Sequence, residues 1–503
     1  MSHADPSRHG RLDDRTPVLV GVSTAQRATP EPDLEPLDLM VEAAAGALRD
    51  AAGARAGELT ARLGTIAVPE GNWSYPDPAR LVAQRLGADG ASTIRVEVGV
   101  PQHTPIRVAL ERIGRGELDA ALVVGAEAKQ SELAATRAGG TVLTTPQPDG
   151  TVPDEQWWPQ GELMAEAEIA AGIWAPVEQY ACIEQALRAA EDRSFDEHLD
   201  DIARLWHRCN QVAATWPLAA FPEPRTVEFL RAPGPGNRPL ASPYAKWHST
   251  QWAVDQGAAL VLCSVGVARE LGIPTDRWIF PHVALESSFS LSLTKRADMH
   301  RWPAMKVLGD AAAAHLGRGL AEVEHAEVYS CFPAAVRVQQ RELGLDPDGT
   351  PTIMGGMAFA GGPFNNFTYQ STAAVVGRLR DDPGSLGLVT TVSGLLTKPA
   401  LAVWSSEPPS GGALVADLGD EARAATGAVE VVGHHEGSAT VASHTVTWSG
   451  DEPSSAFVIA DLDDGRRWIG RSDDADLWAA ALDPSGSFVG SAVQLEGASA
   501  RLA

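Results

Sequence analysis

The stretch Gly116-Glu-Leu-Asp-Ala-Ala-Leu-Val-Val-Gly-Ala-Glu127 decides the fold class of this chain. Its centre, residues 120–125, is apolar without alternation, which predicts a strand buried on both faces. The chain before it repeats this pattern, with strands predicted at 17–22, 63–68 and 93–98 and helices at 37–52, 79–86 and 106–113. Apolar strands that alternate with amphipathic helices indicate an α/β fold with a parallel sheet covered on both faces.

The alternation stops at residues 130–243 and resumes in a second half. The interruption carries the paired Trp157 and Trp158 and several helical stretches, so we expect a lid or binding subdomain there. The first half therefore spans 17–270 and includes this insertion. Residues 271–408 repeat the outline of the first half around a glycine-rich turn, which predicts two halves of one topology.

The C-terminal segment, residues 413–503, has a different pattern. Short stretches alternate apolar and polar residues like half-buried strands, and Asp464-Gly465 between two of them is a strong hairpin signal. The segment is predicted to be a small all-β domain, a five-stranded barrel of the oligonucleotide/oligosaccharide-binding (OB) type. Its many aspartates make nucleic acid a poor ligand for it.

Composition excludes several classes of protein. Hydrophobic residues make up 44% of the 503 and charged residues 21%, which is ordinary for a soluble globular protein. No apolar run approaches the ~20 residues that cross a bilayer. The net charge of −25 argues against binding to nucleic acid or to an anionic membrane. Residues 1–16 are polar and lack a signal-peptide pattern, so we expect a frayed tail on a cytoplasmic protein.

Neither the cysteines nor the glycine-rich turns indicate a resident cofactor. Cys182, Cys209, Cys263 and Cys331 are scattered without a C-x-x-C pair, so a disulfide framework and a zinc site are both unsupported. The chain has no Walker-type phosphate loop and no G-x-G-x-x-G after a strand. We therefore expect no metal and no cofactor.

Five segments, in the family's order, resemble motifs of thiolases, most closely the sterol-carrier-protein branch and its bacterial thiolase-like relatives. Residues 116–127 resemble the strand after the nucleophile helix, and Asp255-Gln-Gly-Ala-Ala-Leu-Val-Leu-Cys-Ser264 resembles the D-G-A-A-A-L-V-L segment. The other three are Val328-Tyr-Ser-Cys-Phe332, similar to H-D-C-F; Gly355-Gly-Met-Ala-Phe-Ala-Gly-Gly-Pro363, similar to G-G-x-x-x-x-G-H-P; and Gly387-Leu-Val-Thr-Thr-Val-Ser-Gly394, similar to the stretch with C-x-G.

The resemblance implies a duplicated five-layered fold, αβαβα, with the active site between the halves and a coenzyme A thioester as ligand or substrate. It also implies the family label of acetyl-CoA acetyltransferase, an acyltransferase of lipid metabolism. The barrel resembles, less closely, an extra C-terminal domain of some thiolase-like proteins. Family members usually dimerise, so a homodimer is expected unless the added domain covers that face.

Three thiolase positions carry residues that cannot perform thiolase chemistry. A thiolase needs a thiolate at a helix N-terminus, and its place in the matched motif falls on Gly99. The histidine of G-H-P falls on Gly362, and the cysteine of C-x-G falls on Val392. Claisen condensation through an acyl-cysteine is therefore not expected.

The fourth thiolase position, the histidine of H-D-C-F, falls on Tyr329. A phenol there could donate a hydrogen bond to a thioester oxygen, or act as a general acid or base if its surroundings lowered its pKa from about 10. Cys331 keeps the cysteine of that motif and is the other catalytic candidate. The alternatives are a packing tyrosine with a satisfied hydroxyl and a thiol that acts as a small buried hydrophobe.

Seven further residues are candidates for ligand binding: His103, Lys246, His248, Ser249, Asn365, Asn366 and Tyr369. Lys246 could contact a phosphate of coenzyme A, and His248 or Ser249 the pantetheine, because the corresponding region of thiolases borders the coenzyme. An anionic ligand on an acidic chain requires a locally basic pocket or helix N-termini. A surface loop, helix capping and simple packing explain the seven residues as well.

Three functions remain open at the level of sequence. The first is an acyl-CoA enzyme whose chemistry is not thiolytic, for example retro-aldol cleavage that uses Tyr329. The second is a catalytically inactive protein that binds acyl-CoA. The third, recognition of nucleic acid by the barrel, is disfavoured by its acidity.

Overall fold

The structure, a computed structural model, describes residues 12–484 and 486–503. The predicted tail, 1–16, lies mostly outside the described residues. Its last part is not frayed, because the Thr16 carbonyl accepts a hydrogen bond from the Val265 amide and the Asp14 carboxylate pairs with Arg269. No helix in the described ranges is long and apolar enough to span a bilayer.

The first half builds one sheet and the helices that cover it. Its elements are β1 (Pro17–Arg27), α1 (Pro36–Ala52), α2 (Ala56–Thr60), β2 (Leu63–Pro69), α3 (Pro78–Leu86), β3 (Ser92–Val96), α4 (Thr104–Gly114), β4 (Ala120–Ala128), α5 (Lys129–Arg137), β5 (Glu155–Trp157), α6 (Glu166–Ala171), α7 (Pro176–Ala190), α8 (Phe195–Ala213), α9 (Val227–Arg231), β6 (Pro239–Ala241), β7 (Tyr244–Ala245), β8 (Asp255–Ser264) and α10 (Val265–Glu270). The sheet has the order β1-β8-β4-β2-β3-β5.

This sheet is mixed, so the prediction of a parallel sheet was wrong. Strand β8 is antiparallel to both of its neighbours, β1 and β4, whereas β4, β2, β3 and β5 run parallel to one another. An unbroken apolar run records burial on both faces of a strand and carries no information on its direction.

The second half repeats the first. Its elements are β9 (Phe280–Glu286), α11 (Pro303–Leu316), β10 (His325–Glu327), α12 (Pro333–Leu343), α13 (Phe367–Asp381), β11 (Gly387–Ser393), β12 (Lys398–Ser405), β13 (Leu414–Asp417) and α14 (Gly419–Ala425). The order β9-β12-β11-β10 matches β1-β8-β4-β2, and strand β12, like β8, is antiparallel to both neighbours. The predicted duplication is confirmed by this correspondence.

Helices α4 and α13 lie between the two sheets and contact both, whereas α1 and α3 cover the outer face of the first sheet and α11 that of the second. The middle layer buries Ile106 and Leu110 of α4 together with Tyr369 and Val375 of α13. These are the predicted five layers, and helices α4 and α13 begin at the boundary between the halves.

The insertion, 130–243, is not a separate unit. Strand β5 extends the edge of the first sheet by pairing with β3, and Ala241 of β6 pairs with Thr447 of the C-terminal region. Helices α7 and α8 pack against α12 of the second half. The insertion therefore joins all three parts of the molecule.

The C-terminal elements are β14 (Val431–Val432), β15 (His435–Ser449), β16 (Glu452–Asp461), β17 (Arg467–Ser472), α15 (Ala475–Ala481), β18 (Ala492–Gly497) and β19 (Ser499–Leu502). Strands β15, β16, β17, β19 and β18 pair in that order, and β18 returns to β15, which closes a five-stranded barrel. The predicted hairpin at Asp464-Gly465 connects β16 to β17. The segment 413–503 begins with β13, which pairs with β9 and so belongs to the second sheet.

Candidate functional site

A cavity of about 610 Å³ opens where the two halves and the insertion meet. Four distant turns of the chain reach it and contribute Gly99, Tyr329, Gly362 and Val392 to its lining. Most of the remaining wall is apolar, with Leu163, Val177, Leu240, Phe332, Met357 and Leu395 among the lining residues. The cavity therefore suits a ligand with a substantial apolar part.

The turn before α4 forms one wall and leaves little room for a side chain at Gly99. This glycine has φ of +96°, and a Cβ there would lie 3.0 Å from both Leu163 Cδ1 and Pro159 Cβ. Its carbonyl accepts a hydrogen bond of 3.0 Å from Nζ of Lys398. Burial lowers the pKa of Lys398 to about 8. The amino group of a buried lysine thus fixes this turn.

The glycine-rich turn before α13 forms the opposite wall. A Cβ at Gly362 would lie 2.1 Å from Cγ2 of Thr250. Thr250 itself is fixed, because its amide and hydroxyl both donate to the carbonyl of Cys331, at 3.0 and 3.2 Å. The space beside Gly362 is therefore filled by the Thr250 methyl group.

Tyr329 presents a positioned phenol to the cavity. Nε2 of Gln102 donates to its hydroxyl at 3.2 Å, and the ring meets Phe367 edge-on with centroids 5.6 Å apart. Oε1 of Gln102 accepts from the Thr368 amide at 2.9 Å, so the side chain of Gln102 is itself fixed. Burial raises the pKa of Tyr329 above its ordinary value. This phenol is suited to donate a hydrogen bond and not to act as a base.

Cys331 also lines the cavity, but its sulfur is a thiol at neutral pH. Burial raises the pKa of Cys331 to about 12. A nucleophilic cysteine needs the opposite shift, which a helix N-terminus or a cation provides. The surroundings of Cys331 therefore favour its role as a buried apolar group.

Backbone strain is concentrated at two loops of the cavity wall. Leu395 and Leu396 have φ of +61° and +58°, and Phe364 on the other wall has φ of +41°. Each such residue costs about 1–2 kcal/mol relative to an ordinary conformation. The guanidinium of the buried Arg296 donates to the Leu395 carbonyl at 2.6 Å and holds the first loop in place. Strain that the surroundings maintain is characteristic of functional sites.

Two basic side chains lie at the cavity, the exposed Arg238 and the half-buried Lys246. Lys246 Nζ lies 4.9 Å from the centroid of the Trp247 ring. Ser249, also in the lining, donates its hydroxyl to the Lys246 carbonyl at 2.9 Å. The exposed rings of Trp252 and Phe364 complete this side.

This architecture is similar to that of solved structures. No protein-family model matches the chain, and a search of curated proteins found no match. A monomeric SCP2-thiolase-like protein type 1 from Mycobacterium smegmatis is 28% identical, with 98% of this chain and 100% of that chain covered and a TM-score of 0.81. The chain is similar to this thiolase-like protein over its whole length and has the thiolase fold.

More distant structures share the thiolase fold alone. The dimeric peroxisomal thiolase of Saccharomyces cerevisiae is 13% identical, with 79% of this chain and 98% of that chain covered and a TM-score of 0.56. The Ltp2-ChsH2(DUF35) aldolase is 17% identical, with 77% and 97% covered and a TM-score of 0.58. The mycobacterial structure covers nearly the whole chain, so its likeness includes the OB-like barrel.

The thiolase motifs explain which candidates meet at the cavity. Gly99, Gly362, Val392 and Tyr329 are the residues to which the four motif comparisons led, and all four line it. The other candidates in the lining are Cys331, Lys246, Ser249 and Asn365. Asn365 has a buried Nδ2 without a hydrogen-bond partner in the described ranges.

Four candidates for ligand binding do not line the cavity. His103 is buried at the N-cap of α4, and burial lowers its pKa to about 3. His248 is buried with its Nδ1 accepting the Ala245 amide, and burial lowers its pKa to about 4. Tyr369 points into the layer between the sheets, and Asn366 lies against Gly125 of β4. Residue type and motif distance do not reveal the direction of a side chain, so the sequence alone does not separate these four from the candidates that line the cavity.

Sequence reasoning also missed functional groups of the cavity. Gln102, Arg238 and Thr250 belong to no thiolase motif quoted above, yet each determines part of the wall. Gln102 lies three residues after Gly99 in the same turn, which is the one signal that could have indicated it. Among residues 12–484 and 486–503, no group of three histidine, cysteine, aspartate or glutamate side chains could hold a metal ion.

Proposed function

We propose that this chain binds a coenzyme A thioester, with its acyl group in the apolar cavity and its thioester oxygen at the hydroxyl of Tyr329. The convergence of four thiolase motif positions on one cavity carries this proposal. Arg238 and Lys246 supply the positive charge that the phosphates need on an acidic chain. The thioester itself lies next to Gln102, which orients the phenol.

Thiolase chemistry is not part of the proposal. Gly99 and Gly362 offer no functional group, and their neighbours Leu163 and Thr250 fill the space that larger residues would need. Val392 is apolar, and burial raises the pKa of the Cys331 thiol to about 12. We therefore expect no acyl-enzyme on this chain and no thiolysis of β-ketoacyl thioesters.

Retro-aldol cleavage is the second candidate, and the Tyr329 phenol is the observation that favours it. In that reaction a base removes the proton of the β-hydroxyl group, and the Cα–Cβ bond breaks. The electron pair moves to a thioester enolate, which then takes a proton at Cα. Tyr329 would stabilise the enolate oxygen. The described lining contains no carboxylate or imidazole to serve as the base, so binding without turnover is the favoured function.

Calorimetric titration tests the binding. The wild-type protein should bind both an acyl-CoA and free coenzyme A. Y329F should weaken acyl-CoA binding about five- to tenfold, the effect of one hydrogen bond of about 1–1.5 kcal/mol. It should leave the affinity for free coenzyme A unchanged, because that ligand has no thioester oxygen.

Y369F is the matched control, because it also removes a buried phenol hydroxyl but one outside the cavity. Its affinities should equal those of the wild-type protein. If neither the acyl-CoA nor free coenzyme A bound to the wild-type protein, the proposal would be refuted. If the wild-type protein cleaved β-hydroxyacyl thioesters and Y329F did not, retro-aldol cleavage would be established instead.

A further inference from the structure

A second pocket, of about 550 Å³, lies between the ends of α7 and α12 and the first part of α8. Five arginines line it, namely Arg193, Arg204, Arg208, Arg337 and Arg341. No step of the proposed function uses it. We propose that this arginine pocket binds a phosphate-bearing small molecule.

The charge of the pocket is opposite to that of the chain. The whole protein carries −25, whereas the five guanidinium groups here share the lining with three carboxylates, Glu191, Asp201 and Asp348. Arg208 pairs with no carboxylate of the described residues, and its one hydrogen bond runs from Nε to the Thr350 hydroxyl at 3.1 Å. An excess of cations on a strongly acidic surface concentrates anions locally.

The guanidinium groups are held in place before any ligand arrives. Arg337 donates to Glu191 at 2.6 Å and to the fully buried Glu184 at 3.4 Å. Arg341 also pairs with Glu191, and Arg204 pairs with Asp201 at 3.0 Å. Carboxylates that bind one edge of a guanidinium orient its remaining N–H groups. A preorganised arginine fork matches the oxygen geometry of phosphate and loses little entropy on binding.

A phosphate or diphosphate fits this pocket better than a simple carboxylate does. It carries more negative charge than a carboxylate, in a lining where five arginines outnumber three carboxylates, and phosphate oxygens can accept from several guanidinium groups at once. The volume exceeds that of an inorganic ion and leaves space for an organic group beside Leu205, Leu345 and Pro347.

The pocket is separate from the cavity that contains Tyr329. Helix α7 connects them, with Tyr180 at the cavity and Glu191, the residue after the helix, at the pocket. Eleven residues at 1.5 Å each separate the two sites by about 16 Å. Between them, Glu184 binds the Tyr244 hydroxyl at 2.6 Å and His198 at 2.8 Å. The phosphate can therefore come from a separate metabolite or from the distal end of a coenzyme A that spans both sites.

Calorimetry with pyrophosphate as the probe tests the inference. The wild-type protein should bind pyrophosphate with an affinity that falls as salt increases. R204Q/R208Q should weaken this binding at least tenfold, because it removes Arg208, which pairs with no carboxylate of the described residues, and Arg204, which pairs with Asp201 alone among them. R55Q/R62Q, which removes the same charge from a distant surface, should leave it unchanged, and circular dichroism should show both variants folded.

Coenzyme A titrations separate the two sources of phosphate. If coenzyme A spans both sites, it displaces pyrophosphate and loses affinity in R204Q/R208Q. If the ligand is a separate metabolite, coenzyme A and pyrophosphate bind together, and R204Q/R208Q affects only the latter. No binding of pyrophosphate to the wild-type protein, or equal weakening in both double variants, would overturn the proposal. The binding of pyrophosphate to the wild-type protein and to the two double variants does not depend on whether an acyl-CoA binds at Tyr329.

Discussion

At the scale of single residues, the space around Gly362 is the sharpest constraint on the site. A Cβ at this position would lie 2.1 Å from Cγ2 of Thr250 and 3.2 Å from Cε of Met357. Gly362→Ala should therefore lower the free energy of unfolding by about 1–3 kcal/mol through overpacking. Urea titration measures this loss.

Two further variants test whether overpacking is the cause. Thr250→Ser removes the methyl group that a Cβ at position 362 would contact. The double variant Gly362→Ala/Thr250→Ser should therefore regain much of the lost stability. Gly377→Ala is the control, because Gly377 lies in helix α13 with open space around it and should gain about 0.5–1 kcal/mol. If Gly362→Ala had the stability of the wild-type protein, the side chains around position 362 would be able to move aside without cost, which would contradict the prediction.

Lys398 should give the protein a pH-dependent stability. The unfolded chain keeps the lysine proton up to about pH 10.5, whereas the folded protein releases it near pH 8. The unfolded state therefore holds more protons between these values, and the contribution of Lys398 to stability rises with pH across that window. Below pH 8 the folded protein bears the full free-energy cost of burying the charged amino group of Lys398.

The stability of the wild-type protein minus that of Lys398→Met should increase by about 2 kcal/mol between pH 8 and pH 10. Denaturant titrations at several pH values measure this difference. Lys398→Arg should behave like Lys398→Met in its pH dependence, because arginine stays charged throughout. Parallel curves for the wild-type protein and both variants would contradict the assignment.

At the scale of elements, the loop after β11 stores strain in the cavity wall. Leu395 has φ of +61°, a region in which alanine costs about 1 kcal/mol and glycine nothing. Leu395→Gly should therefore be about 1 kcal/mol more stable than Leu395→Ala, the reverse of the usual order. At Leu218, an exposed leucine without positive φ, glycine should be no more stable than alanine. Thermal unfolding of the four variants provides the comparison.

Whether a strand can be predicted from the sequence depends on how many of its side chains are buried. Strands β4 and β8 are buried at nearly every position, and β1 begins with the buried run 18–21, so their apolar runs identified them. Strand β18 has buried residues at every second position, β19 is mostly exposed, and each contains a charged residue; sequence reasoning did not assign them. Strand direction was predicted wrongly, because burial does not encode it.

At the cavity, the motifs predicted which segments of the chain meet but not which way each side chain points. Motif order along the chain led to Gly99, Gly362, Val392 and Tyr329, and their turns do meet. Tyr369 was a candidate of the same chemistry, but on helix α13 its side chain faces the middle layer. Which face of a helix meets a cavity follows from the packing of distant elements, and a local pattern does not contain that packing.

At the scale of the whole molecule, the barrel and the thiolase fold share one core. Phe457, Ile459 and Ile469 of the barrel are buried in the same cluster as Tyr180 of α7 and Val392 of β11. Ser443 of β15 donates to a carbonyl of α7 as well. We therefore expect the barrel and the second half to unfold together, in one transition.

Arg467 connects this barrel to the cavity wall and provides the test. Its guanidinium pairs with Asp461 and donates to the carbonyls of Thr294, Arg296 and Ala297, and Arg296 in turn holds Leu395. Arg467→Met leaves these buried carbonyls without donors and should cost about 2–4 kcal/mol.

The neighbouring residue is a matched control for that variant. Arg466 is half-buried, and among the described residues its side chain pairs with Asp464 in the adjoining turn, so Arg466→Met should change stability by less than about 0.5 kcal/mol. Arg467→Met should also weaken acyl-CoA binding, because the strained loop at Leu395 loses its support through Arg296. Urea titration and calorimetry on the two variants test both effects. Equal stabilities would mean that Arg467 contributes nothing to the connection between the barrel and the thiolase fold.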